Sequence, residues 1–426
     1  MDSISYAQFQ STLRAAVGRR TQEYRSIYSI TVRWEKDDTN AESDTNHFQN
    51  MLKNLDIGPA EELVIDSEDL APEFTLSRVW LNFSEKARLS EERSLIIFHY
   101  AGHGIYKNGS FKFADTIAGL KTMDPQSVLF NDIMNPAMFP EFNNTDVLFI
   151  FDCCYGQNAT RAPDNTHRAF EVLAATSTRT ESARSPSDST FTAKLADEIA
   201  RRKRLGHRSF EFASVYESLR KESTSRVRPT HALLAGATSV NLPLTGYRTV
   251  DPRDIPADYK ALFSVTISRD LTRQDLKELV AWIRNRSPFT GLAIDSMYYS
   301  AQSTCLIMQA ALSVYTKLHH MQGYTLIAEN PGDLSFTHRI PFSVNYPKRP
   351  GSPVAKGRRS ERIEENAASK AVTAAATEEQ DEATRRRLDR ELEELSEATA
   401  DNTISYLEEE FTLMAGPISR PNQASF

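Results

Sequence analysis

Two apolar runs, each cut short by residues that carry chemistry, constrain this chain more than anything else in it. Residues 147–151 read Val-Leu-Phe-Ile-Phe and break into Asp152-Cys153-Cys154-Tyr155-Gly156. Residues 95–100 read Leu-Ile-Ile-Phe-His-Tyr and break into Ala101-Gly102-His103-Gly104. A short continuous apolar run bounded by turn formers predicts a strand buried on both faces, as in the middle of a parallel sheet. Such a strand gains nothing in packing from an acid and two thiols at its tip. In an open α/β sheet, ligands bind beyond the carboxyl ends of the strands, so reactive side chains belong there. The glycines beside His103 allow another chain segment to approach closely.

The surrounding sequence alternates between the two periodicities. Residues 1–26 form an N-terminal helical extension with Phe9, Leu13 and Val17 at i, i+4, i+8. A strand is expected at residues 29–34, a polar acidic loop at 35–44, a helix at 47–55, a strand at 63–65 and a helix within 73–89. After the cysteines, residues 157–168 read as an exposed polar loop. A strand at 170–176 follows, then a helix capped by Ser189, a helix at 212–221 and a strand at 230–235. This order argues for a parallel-rich sheet flanked by helices, an α/β fold spanning residues 27–240. Prolines at 243, 252 and 256 mark a boundary. Residues 258–343 then read βαββαβ, the order of a small ferredoxin-like α+β domain. A basic, proline-rich linker occupies 344–362. Residues 363–415 predict a charged C-terminal helix, through which oligomerisation is an option, and 416–426 form a tail.

Composition removes several functional classes. The net charge of −7 argues against general nucleic-acid binding, which needs a basic face. No apolar run approaches a membrane span of roughly 18 residues, and residues 1–5 lack the basic start and apolar core of a signal peptide. The three cysteines, two of them adjacent, do not suggest a disulfide framework. A cytoplasmic location is expected. No Walker A loop, dinucleotide fingerprint or zinc spacing is present, so no cofactor or metal is expected; activation by calcium is open, though the sequence does not indicate it. Arg201-Arg202-Lys203-Arg204 reads as a solvated helix end, and His99 and Cys305 read as core.

A thiol attacks only as the thiolate, and its ordinary pKa of about 8.5 calls for an activating imidazole near neutrality. His103 lies 51 residues before Cys154. Histidine about 50 residues ahead of a cysteine followed by any residue and glycine is the caspase spacing, and Cys154-Tyr155-Gly156 keeps that frame. Tyr100-Ala101-Gly102-His103-Gly104 and Asp152-Cys153-Cys154 together resemble the histidine and cysteine motifs of the caspase/metacaspase clan of cysteine peptidases. Arg33-Trp34-Glu35, residues 170–176 and Ser189-Thr190-Phe191-Thr192 are similar to segments of fungal caspase-like proteins. The resemblance covers roughly residues 24–240.

The resemblance implies a cysteine endopeptidase acting on protein or peptide substrates. Cys154 would be the nucleophile and His103 the general base, with Cys153 the alternative nucleophile. Backbone N–H groups of Gly104 and Cys154 would form the oxyanion hole. Asp152 would contact a basic P1 residue. The chain departs from metacaspases in Tyr155-Gly156 and in lacking their motif for a second P1-binding acid, for which Asp37 and Asp38 are candidates. Arg179 and Arg184 could instead receive an acidic P1 residue. Arg161 and Arg168 are candidate sites of self-cleavage. The alternative is a catalytically silent caspase-like scaffold acting in protein interaction or signalling.

Overall fold

The computed structural model describes residues 3–18, 23–90, 92–130, 144–154, 168–175, 190–223, 228–245, 250–269, 271–299, 303–319 and 321–331. Helix α1 (Tyr6–Val17) opens on a capping box, in which Ser5 accepts from Gln8 N–H and the Gln8 side chain returns to the Ser5 backbone. Strand β1 (Ser26–Trp34), helix α2 (Ala41–Asn54), strand β2 (Glu61–Ile65) and helix α3 (Pro72–Arg88) follow. Strand β3 (Ser94–Ala101) leads into a small antiparallel sheet of β4 (His103–Lys107), β5 (Ser110–Ala114) and β6 (Thr122–Met123). Then come a π-helical turn (Gln126–Phe130), β7 (Thr145–Asp152), β8 (Phe170–Ala174) and α4 (Phe191–Arg204). Strand β9 (Ser209–Glu211), helix α5 (Phe212–Glu222), strand β10 (Thr230–Ala235) and strand β11 (Asn241–Pro243) complete this half.

The main sheet has the order β10-β8-β7-β3-β1-β2. Every neighbour pair runs parallel except β10 with β8. The expected parallel-rich, helix-flanked sheet is therefore present. All eight residues of β3 are buried, as a strand covered on both faces requires. Alternation sends Leu95, Ile97, Leu148 and Ile150 to the face carrying α2 and α4, and Ile96, Phe98, Phe149 and Phe151 to the face carrying α3. From β1 the chain runs to β2 on one side and to β3 on the other, so the strand order reverses between β1 and β3. The crevice at such a switch point is where α/β sheets bind ligands.

A second sheet is built from β12 (Lys260–Ile267), β13 (Ala293–Tyr299), β14 (Thr304–Ala311) and β15 (Tyr324–Glu329), with helix α6 (Arg273–Arg284) after β12 and helix α7 (Leu312–Leu318) after β14. Its order is β13-β14-β12-β15 and all pairs are antiparallel, the arrangement of a split βαβ unit. Thr272 and Asp275 close a capping box at the start of α6. Phe263, Val265, Leu306 and Met308 face inward. Cys305 occupies an outward register position and is half-buried, not core.

The described residues form one compact unit, and the two sheets share a single apolar core. Helix α1 packs on α7, and Thr12 Oγ1 lies 2.6 Å from the Tyr324 hydroxyl. Lys317 Nζ on α7 donates to Glu211 Oε2 at 3.0 Å, with 0 % and 2 % of the two side chains exposed. Within the basic run 201–204, Arg202 is buried against Glu198 and Ser214, contrary to a wholly solvated helix end. The linker, the C-terminal helix at 363–415 and the tail lie outside the described residues.

Candidate active site

The two motifs meet because their strands are neighbours. Strands β3 and β7 pair in parallel with Ala101 opposite Asp152, so His103 and Cys154 each lie two residues past the same rung. Gly102 N–H donates to the Asp152 carbonyl at 3.3 Å, carrying the contact beyond the strand ends. Gly104 then lies directly on the cysteine loop. A Cβ built there would stand 2.1 Å from the Cys154 carbonyl oxygen and 3.1 Å from the Cys153 sulfur. No other residue fits without moving backbone.

Strand parity separates the two thiols. Cys153 continues the phase of Phe149 and Phe151 and is buried in their aromatic cluster. Burial, reinforced by Cys154 and Asp152, pushes its thiol well above the usual range. Cys154 has the opposite phase and is half-buried. His103 opens β4, and its carbonyl accepts the Tyr100 hydroxyl at 2.9 Å. Its Nε2 meets Asp38 Oδ1. His99 is a core histidine, hydrogen-bonded to Thr31 and Thr192 and held neutral by burial, with its pKa pushed down to about 3.

Asp152 ends β7 on the side of α2 and α4. Its Oδ2 accepts Thr192 N–H at 2.7 Å, in the first turn of α4. That helix is capped by Thr190, whose side chain accepts from Ala193 N–H, not by Ser189. A helix N-terminus favours an anion, yet burial dominates and raises the Asp152 pKa. Beside it lies a second acid missed in the sequence, Asp44. It is 4 % exposed, and its Oδ1 has no hydrogen-bond partner. Burial first, then the charge of Asp152, raises its pKa to about 8. Residues 35–44 were expected to be loop, but α2 starts at Ala41. Ala41, Asp44, Thr45, Phe48, Met51 and Leu52 form its buried stripe. Extending the helical period one turn upstream of Phe48 would have placed Asp44 on that face.

Asp37 and Asp38, the candidates for a second acid, stand on the loop between β1 and α2, and the charge of Asp37 reaches Asp44. Asp37 binds the loop backbone at Thr39 and Ala41, and Asp38 meets His103. The ligand atoms of Asp37, Asp38 and His103 lie within 4.8 Å of one another, close enough to hold a divalent cation, although the Asp37 oxygens are already committed to the loop. Arg179, Arg184 and Arg161 lie outside the described residues. Arg168 is no exposed cleavage site: it is 3 % exposed, and the N–H of the next residue, Ala169, donates to Asp146 Oδ1 at 2.6 Å.

The Cys154 thiol, the His103 imidazole, the buried Asp44 and the half-buried Asp152 thus stand at the same end of the sheet, beside its switch point. No curated protein matches the chain in sequence. The family model of the caspase domain matches residues 28–233, the stretch that carries the main sheet and both motif loops. Over those residues the chain belongs to the caspase family of cysteine peptidases.

Proposed function

We propose that the protein is a cysteine endopeptidase that cleaves after basic residues, with Cys154 as nucleophile and His103 as general base. The pairing of Asp44 with Asp152 carries the P1 preference. The buried Asp44 and the half-buried Asp152 lie side by side and repel each other, and one oxygen of Asp44 is unpaired. A buried charge without a partner is costly. A guanidinium or ammonium entering from the substrate supplies both the missing charge and the missing hydrogen bonds.

In this mechanism the Cys154 proton passes to His103, and sulfur attacks the scissile carbonyl. The oxyanion is received by the N–H groups of Gly104 and Cys154, donors of a type worth about 3–4 kcal/mol each. His103 then returns the proton to the leaving amine, which yields a thioester that water hydrolyses. The buried, protonated state of Cys153 supports Cys154 as the attacking thiol. Turnover of peptides bearing Arg, Lys or Asp at P1, measured on wild type and Asp44→Asn, tests the reading. The expected result is cleavage of Arg and Lys peptides by the wild type, with KM raised at least about tenfold in Asp44→Asn. Cleavage of Asp peptides alone overturns the P1 assignment.

A further inference from the structure

The loop after β1 is built to hold one carboxylate against His103. Asp37 Oδ2 accepts Thr39 N–H at 2.8 Å and Ala41 N–H at 3.0 Å, and the Thr39 hydroxyl bonds to both of its oxygens. Asn40 completes the turn at φ 69°, in the left-handed region. These bonds commit Asp37 to the backbone. The next residue, Asp38, reaches from the end of β1 towards the end of β3, and its Oδ1 meets His103 Nε2. Only 13 % of the His103 side chain is exposed, and its carbonyl is tied to Tyr100. The ring is therefore tethered through both backbone and side chain.

We infer that Asp38 is a positioning residue for the thiol–imidazole pair, an inference that rests on the peptidase reading above. A carboxylate at neutral pH only accepts, so the His103 nitrogen facing it carries the hydrogen. That fixes the tautomer and leaves Nδ1 as the acceptor for the Cys154 proton. The proton moves from sulfur to Nδ1 and later to the leaving amine. Asp38 takes up no proton and steadies the imidazolium formed between those steps. Its side chain is 57 % exposed, so water screens the attraction and the effect is smaller than that of a buried acid.

The test uses full-length wild type, Asp38→Ala and Asp38→Glu in two assays. One is steady-state cleavage of a fluorogenic peptide with Arg at P1. The other is the rate at which iodoacetamide alkylates Cys154, read by mass spectrometry at residue level. Asp38→Ala is expected to lower kcat about ten- to a hundredfold, part of what a general base supplies, with KM within about twofold. It should also slow alkylation of Cys154, and Asp38→Glu should recover most of both losses. Unchanged kcat and alkylation in Asp38→Ala overturn the inference. So does a rise in KM alone, which would put Asp38 in the P1 pocket. A wild type that cleaves no Arg, Lys or Asp peptide overturns the peptidase reading and this inference with it, a result distinguishable because it appears before any variant is compared.

Discussion

Asp44 shows at the scale of one residue how burial, charge and function pull against each other. In the folded chain burial, with the charge of Asp152 beside it, pushes its carboxyl up to about 8, well above the ordinary carboxylate range. The folded state thus holds a proton that the unfolded chain releases, and stability falls as pH rises from about 4 through about 8. Asp44→Asn removes that loss. Its unfolding midpoint should match the wild type at about pH 4 and exceed it at about pH 9, as thermal denaturation across the range would show. By the same linkage, the proposed P1 cation must displace this proton. KM for Arg-P1 peptides should therefore fall as pH rises towards 8 in the wild type and stay flat in Asp44→Asn. His103 and the cysteines were legible because glycines and thiols interrupt apolar strands, a break that packing does not explain. Asp44 was not, because an acid in a polar stretch looks like loop until the tertiary fold buries it.

Among the elements, β7 decides which thiol is buried. The strand's period of two puts Cys153 with Phe149 and Phe151 and turns Cys154 to the other face. Cys153→Ala is expected to leave turnover within a fewfold and to cost about 1–2 kcal/mol of stability through the small cavity it opens. Steady-state kinetics alongside urea denaturation would check both halves of that expectation. Loss of turnover comparable to that of Cys154→Ala would reverse the assignment of the two thiols. The elements themselves were largely readable from periodicity, because the apolar runs of β3 and β7 admit few alternatives. Boundaries were less readable. Helix α2 begins at Ala41 within sequence of loop-like composition, and no Asn40 side-chain bond caps it. A run of four basic residues also gave no sign that Arg202 alone turns inward to Glu198 and Ser214.

At the scale of the molecule, the second sheet is joined to the caspase half through buried and part-buried polar contacts around a common core. Lys317 is fully buried against Glu211, Arg220 makes a two-pronged pair with Glu329 at 2.8 and 2.9 Å, and His231 Nδ1 lies 2.8 Å from Thr316 Oγ1. Removing one partner of a buried pair strands the other, so Lys317→Met should cost about 3–5 kcal/mol. Because the core is shared, both halves should unfold in one transition in wild type and variant alike, as calorimetry would show. Sequence patterns reported the two sheets separately. They could not report this junction, since its residues lie about a hundred positions apart and none breaks a local rule. The central claim, a Cys154 peptidase selective for basic P1 residues, is tested most directly by cleavage of Arg-, Lys- and Asp-P1 fluorogenic peptides with wild type and Cys154→Ala side by side. The account predicts turnover of the Arg and Lys peptides by wild type and loss of at least about a thousandfold in Cys154→Ala. Equal rates in the two proteins, or no turnover of any peptide by wild type, would contradict it.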